Sequence, residues 1–525
     1  MPGAQDLIQA GEWGCVPDVT LASHALSISA PSSGYRAPVN ISGPRIQTQG
    51  DFSVLATLSD PARSGAFLTL VGALGTGSLY WIGLKQLAVG RDHGAIRVEY
   101  WTGSSPKSTS RAFTLPAGAS GAINLEVARV GNNIALFVNG SQIGSFAEPG
   151  LFASGQAYFG FNVAPGNTLN VLALAAAKPA GSNVSLFVPD LQVATRSSAS
   201  LRDSAPSGLL IGAAPDRELF LSSDYAQTLG REFNFLVPGN DLKFAQTEPA
   251  PHVFDFCRGD QMAAYARANG MKMRGHTLVW WKGVPDWLTS GNYSAPEAAG
   301  ILHEHIDSVM GHFKGQLADW DVVNEALSDT APYGLRPSYW LTQLGDNYVD
   351  MAFRWAHAAD PQAKLFYNDY DGEGLGGKSD AIYNFVRGML SRGIPIHGVG
   401  LQMHLDLDHP PSESTISANI ARLGALGLEV HVSEMDVRLP VDSHGVASAA
   451  DLASQAAIYK NAVSACVANS NCTAFLTWGV SDLYSWIPIR YPGFGAGFLF
   501  DRHFHPKPAY YSVSAALNSD SRRSR

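Results

Sequence analysis

MRGHTLVWW (273–281), APEAAGILHEHIDSVMGHFK (295–314) and LADWDVVNEA (317–326) decide the fold, reading in succession as strand, helix and strand. In the outer two, apolar residues run together over the length of a buried strand. In the middle one they return at the three- and four-residue spacing of a helix with one wet face. That order argues for a parallel sheet with helices outside it.

The same texture extends from about residue 200 towards the C-terminus, with DQMAAYARANG (260–270) as another helical stretch. Eight strands are expected: 208–214, 231–239, 273–281, 317–326, 364–371, 397–405, 429–437 and 474–482. Each begins apolar. Most end in polar or aromatic residues: Asn240, His276, Glu325, Asp369, His404, Glu434 and Trp478. Active sites of (β/α)8 barrels sit at the C-terminal ends of the strands. The expected fold is therefore α/β, a (β/α)8 TIM barrel over residues 199–515.

Upstream the pattern changes to short alternating runs, such as FSVLATL (52–58), AINLEVARV (122–130), NIALFVNG (133–140) and QAYFGFNV (156–163). Gly131-Asn132-Asn133 between two of them predicts a hairpin turn. Evenly spaced strands of this kind predict an all-β sandwich over residues 1–178. Residues 179–198 read as a linker with a short strand inside.

Of 525 residues, 46% are hydrophobic, enough for sizeable cores, while only 15% are charged and the formal net charge is −9. That balance argues against nucleic acid and against an anionic membrane surface as partners. The 11 Trp and 18 Tyr suit an uncharged, flat-faced ligand such as a sugar, or simply fill cores. No apolar run is long enough to span a bilayer. The four Cys form no zinc-type grouping. Cys466 and Cys472 bracket a short loop and are spaced for a local disulfide, or stand as two thiols.

WDVVNEA (320–326) and VHVSEMD (430–436) each carry a Glu in an otherwise apolar strand. A buried carboxylate is costly unless it is paired or useful. Either each answers a Lys or Arg, or the two face one cavity. Two carboxyls flanking a bond are what glycosidases use, one as acid and one as nucleophile, with neither metal nor cofactor.

At this point GLLIGAA (208–214), REFN (231–234), GHTLVW (275–280), WDVVNEAL (320–327), LFYNDYD (365–371), GVGLQMHL (398–405), EVHVSEMDVRL (429–439), TWGVSDLYSW (477–486) and FLFDRHFHPKPAY (498–510) together become informative. In order and spacing, residues from about 200 to 515 resemble glycoside hydrolase family 10, mainly endo-β-1,4-xylanases. The resemblance implies Glu325 as acid/base and Glu434 as nucleophile. It implies that Asn324 holds the sugar 2-OH, that His404 bonds Glu434 and is oriented by Asp436, and that Gln402 lies beside them. Asn240, Lys243 and His276 match contacts to sugars on the non-reducing side, and Trp280, Trp478 and Trp486 match aromatic walls. Cys466 and Cys472 fall where many members have a disulfide. The two carboxyls are then expected about 5–5.5 Å apart, the retaining distance. The N-terminal pattern INLEVARVGNNIALFVNGSQIGSF (123–146) resembles concanavalin-like (laminin-G-like) jelly rolls, which implies either polysaccharide binding or a structural appendage.

The chain departs from the family pattern on one side. PGNDLKF (238–244) has Gly239 where a Glu is usual, and WWKGVP (280–285) has Trp281 for a His and Gly283 for a Gln. Two polar sugar contacts are thus missing, unless a nearby loop supplies them, and Trp281 adds stacking surface. The expectation is a retaining endo-β-1,4-xylanase, with another β-linked glycan or a decorated xylan as the alternative substrate. A catalytically silent glycan-binding barrel is the rival of a different kind. The protein is expected to be monomeric and secreted, its signal peptide absent from this sequence, because the first 30 residues lack a basic start and apolar stretch.

Overall fold

A computed structural model describes residues 223–519 continuously, 193–195, 200–216 and 219 before them, and, within the first 190 residues, the strands named below together with Gln5–Asp6 and Val39–Asn40, with short stretches joining some of them. The chain divides into two compact units, Met1–Asp190 and Leu191–Arg525. Most of the 179–198 stretch lies outside the described residues. Within it, Leu186–Phe187 is a strand and Ala194 is buried, its N–H bonded to Asn269 Oδ1 at 2.8 Å.

The first unit holds two antiparallel sheets. One runs Ser141–Ala147, Asn133–Val138, Ile123–Val130, Phe52–Ser59, Thr168–Ala177, Ala25–Ser29, Val19–Ala22. The other runs Thr109–Thr114, Ala95–Thr102, Lys85–Asp92, Ala66–Ala73, Gln156–Val163, Arg45–Gln47, Leu186–Phe187. Alternate residues of both, such as Leu125, Val127, Leu68 and Leu70, share one buried core. Val130 pairs with Asn133 across the two-residue turn Gly131-Asn132, and Gly131 takes φ 58°, which a glycine adopts without strain.

The second unit is a closed barrel of eight parallel strands: β1 Leu210–Ala213, β2 Phe235–Leu236, β3 Lys272–Trp280, β4 Asp319–Asn324, β5 Lys364–Asp369, β6 Gly398–Leu401, β7 Glu429–Val437 and β8 Cys472–Thr477. β8 pairs with β1 from Leu210↔Ala474 to Ala213↔Thr477, which closes the ring. Helices follow the strands, for example Ala295–His312 between β3 and β4. That helix starts where Glu297 reaches back to the N–H of Ser294 at 2.8 Å, with Pro296 at its entrance. Its Leu302, Ile306, Val309 and Met310 are all buried.

The second strand is shorter than the sequence pattern suggests. REF (231–233) does not begin it: Ser223–Glu232 is helix, with Tyr225, Ala226, Leu229 and Phe233 buried at helical spacing. The 397–405 stretch is β6 plus a short strand, His404–Leu405, paired with β7. Cys466 and Cys472 form a disulfide, Cα–Cα 5.2 Å, tying the end of helix Ala449–Ala468 to the start of β8. No helix among the described residues is long and apolar enough to cross a membrane.

Candidate active site

The barrel strands bring their polar ends to one place, and their backbones change course there. Ladder registers shift between His276 and Val279 on β3, Asp321 and Val323 on β4, and Val432 and Met435 on β7. Such irregularities re-aim side chains at the mouth of a barrel. Past the strand ends, Glu325, Asp371 and Met403 take φ of 56°, 56° and 63°. For residues with a Cβ each costs about 1–3 kcal/mol and persists only where surroundings enforce it. For Glu325 they do: its N–H bonds Asn368 O at 2.8 Å and its carbonyl accepts Arg336 Nε at 3.2 Å.

Glu325 and Glu434 are both buried. They are joined through amides. Asn368 Nδ2 donates to Glu434 Oε1 at 2.6 Å and to Asn324 Oδ1 at 2.8 Å, and Asn324 Nδ2 reaches Glu325 Oε1 at 3.2 Å. Gln402 Nε2 is 3.2 Å from both Asn324 Oδ1 and Glu325 Oε1. The other oxygen of Glu434 meets His404 Nε2 at 3.2 Å, and His404 Nδ1 meets Asp436 Oδ2 at 3.1 Å. Burial opposes a charge on His404, but the Asp436 and Glu434 carboxylates outweigh it and hold its pKa well above the usual histidine range. His404 is therefore a cation wedged between two carboxylates.

Trp486 gives its N–H to the same Asp436 oxygen at 2.8 Å and stands edge-on to His404, ring centres 5.0 Å apart. Trp478 lies edge-on to His276, 5.0 Å away, and His276 Nδ1 meets Asp321 Oδ2 at 3.0 Å. Trp280 Nε1 reaches Glu325 Oε2 at 2.8 Å. Lys243 Nζ sits 4.9 Å from the Trp280 ring centre and donates to Asn240 Oδ1 at 2.7 Å. Burial lowers the Lys243 pKa, against the pull of Asp216, Glu434 and Glu325. All twelve residues expected in the site thus stand around one cluster.

Several members of the cluster were not anticipated. Asn368 is the bridge between the carboxyls. Arg274 on β3, fully buried, pairs with Asp321 and reaches His431 Nδ1 at 2.5 Å, and so holds the partner of His276. The inward alternation of β3 and β4 was the available signal. Trp281 turns its edge, not its face, to the site: Nε1 lies 2.8 Å from Glu325 Oε2, while Lys282 Nζ and Arg336 Cζ lie 4.4 and 4.8 Å from its ring centre. Beside Gly239 the space is taken by Asp216, whose carboxylate oxygens would lie 3.0 and 3.1 Å from a Cβ at 239. Asp216 Oδ2 accepts Asn240 Nδ2 at 2.6 Å.

Two paired carboxyls, one fixed by a cation and an amide and the other ringed by N–H donors, make a site fit for acid-assisted displacement at a carbon between them. Several known proteins similar to this chain are named xylanases. Endo-1,4-beta-xylanase B of Thermotoga neapolitana is 38% identical over 289 residues, covering 55% of this chain and 82% of that protein. Native xylanase 10B of Thermotoga maritima superposes with a TM-score of 0.59 at 36% identity, covering 62% of this chain and all (100%) of that one. Xylanase 10B of Thermotoga petrophila in complex with xylobiose gives 0.58 at 36% identity, covering 61% and 97%. Residues 200–516 match the model of glycosyl hydrolase family 10, and the chain belongs to that family.

Proposed function

We propose that this protein is a retaining endo-β-1,4-xylanase that cuts internal bonds of xylan by double displacement. The observation that carries the reading is the pair of buried strand-end carboxyls, Glu325 and Glu434, joined by the Asn324–Asn368 amides. Glu434 attacks the anomeric carbon and forms a glycosyl ester. Glu325 gives a proton to the departing oxygen, then takes one from the water that breaks the ester. Asn368 and His404 aim the two Glu434 oxygens. Asp436, itself bonded by Trp486, orients His404. Asn324 meets the sugar 2-hydroxyl in this reading, and Gln402 supports both.

Asn240, Lys243, His276, Trp280 and Trp478 form the wall for sugars on the non-reducing side. The xylobiose seen with the related Thermotoga petrophila enzyme is the kind of ligand that wall would take. Gly239 and Gly283 lack side chains there, and Asp216 stands in part of the space. This favours a subsite altered in its second sugar contact, and with it tolerance of decorated xylans. Hydrolysis of xylo-oligosaccharides followed by proton NMR tests the main reading. The β-anomer should appear first; α-anomer first would refute retention.

The antiparallel sheets of the first unit support a concanavalin-like role in binding polysaccharide, which holds the barrel near its substrate. Pull-down of the full chain and of residues 191–525 on insoluble xylan tests this: equal retention would refute it. The Cys466–Cys472 disulfide supports a secreted protein, since such bonds persist in oxidising compartments.

A further inference from the structure

Two indoles meet on one oxygen of Glu325. Trp280 Nε1 and Trp281 Nε1 each lie 2.8 Å from Oε2. A carboxylate oxygen offers two lone pairs, so Oε2 is filled. Oε1 accepts only longer bonds, 3.2 Å each, from Asn324 Nδ2 and Gln402 Nε2. Gln402 Nε2 also reaches Asn324 Oδ1, so it keeps a partner when it leaves Oε1. Trp281 is held in place by the Lys282 and Arg336 cations over its ring. Arg336 is fixed in turn by Asp329 and by the Glu325 carbonyl. Trp281 is also one of the positions where the chain departs from its family.

We propose that Trp281 is a positioning residue for the acid/base step: with Trp280 it fills Oε2 of Glu325 and so confines the transferable proton to Oε1. This rests on the reading of Glu325 as acid/base. In the first half-reaction the proton leaves Oε1 for the glycosidic oxygen as that C–O bond breaks and Glu434 bonds the anomeric carbon. In the second, water bonds the carbon, its proton passes to Oε1, and the Glu434 ester breaks. A proton on Oε2 would have to displace an indole N–H held at 2.8 Å, whereas one on Oε1 displaces only the longer 3.2 Å contact of Gln402, which keeps Asn324 Oδ1 as its partner.

An indole N–H on a carboxylate also favours its charged form. The other groups facing Glu325 are Lys243 from beyond β2, Asp369 and Tyr370 at the end of β5, and Glu434 on β7, with Arg336 at its carbonyl. Trp281→Phe leaves all of these and removes one donor. The basic limb of kcat/KM on xylan should then move up by about one pH unit, and kcat at the optimum should fall about tenfold. On an aryl xylobioside with a nitrophenol leaving group, which needs little protonation, the loss should stay under about threefold. An unmoved limb, or equal losses on both substrates, overturns the proposal.

The wild-type protein gives an independent readout. Of its 11 tryptophans, two should show indole N–H resonances that titrate with the midpoint of that limb. A single titrating resonance overturns the proposal. Glu325→Ala separates the two ideas. If it fails to lose xylan activity selectively over the aryl substrate, the acid/base reading falls. If it behaves as an acid/base variant while the Trp281→Phe limb stays put, only the role of Trp281 falls.

Discussion

Asn368 donates one amide nitrogen to Glu434 Oε1 at 2.6 Å, and the same nitrogen reaches Asn324 Oδ1 at 2.8 Å. The aim of Glu434, the proposed nucleophile, therefore depends on a residue whose side chain meets the Glu325 carboxyl only through Asn324, while its carbonyl accepts the Glu325 N–H at 2.8 Å. Removing a hydrogen bond to a charged group costs about 1.5–3 kcal/mol. Asn368→Ala should lower kcat on xylan roughly ten- to hundredfold, with KM changed less than about threefold. Steady-state kinetics on xylan check this.

His404 makes a pH-dependent contribution to stability. Its folded pKa is raised above the unfolded value, near 6.5, by Asp436 and Glu434 against the cost of burial. The stabilisation is complete below about pH 6.5 and is lost as pH rises through the folded value. The melting-temperature gap between wild type and His404→Asn should therefore be wider at pH 6 than at pH 10. Thermal scans at the two pH values check the sign.

Arg274 is the buried cation beneath the site, paired with Asp321 and close to His431. Arg274→Met leaves the buried Asp321 carboxylate with His276 alone and should cost about 3–5 kcal/mol, or roughly 10 °C in melting temperature. Asp321 is pulled below the usual carboxylate range because Arg274 and His276 together outweigh its burial. Its contribution is present above about pH 4 and fades as pH falls through its folded value. The gap between wild type and Arg274→Met should narrow in acid, as denaturation monitored by circular dichroism will show.

Gly239→Glu tests whether the altered wall is a simple deletion. A Cβ at 239 would lie 3.0 Å from an Asp216 oxygen, so the new carboxylate meets an existing one. The single substitution should raise KM for xylotetraose, and Gly239→Glu with Asp216→Ala should recover most of that loss. Kinetics on xylotetraose decide it.

Much of the fold was legible because buried parallel strands and amphipathic helices differ in period. The two carboxyls were legible because a Glu in an apolar strand stands out. The start of the second strand is ambiguous in sequence because Arg231, Glu232 and Phe233 suit the end of a helix as well as the start of a strand. Asn368 was hidden beside Asp369: in FYNDYD both look polar, and only the register shows that Asn368 joins the carboxyls while Asp369 bonds Tyr367 and lies 3.4 Å from Lys378. In sequence Trp281 offers a stacking ring, but its orientation, with the edge to Glu325, is set only by the fold. Asp216 followed an unremarkable strand end, and its proximity to Gly239 is a tertiary fact.

Glu434 is the residue proposed to form the covalent bond to sugar. Incubation with an activated 2-deoxy-2-fluoro-xylobioside, followed by proteolysis and mass spectrometry, tests it directly. One glycosyl adduct is expected, on the peptide carrying Glu434 and at that residue. An adduct on Glu325 or elsewhere, or inactivation with none formed, would contradict it.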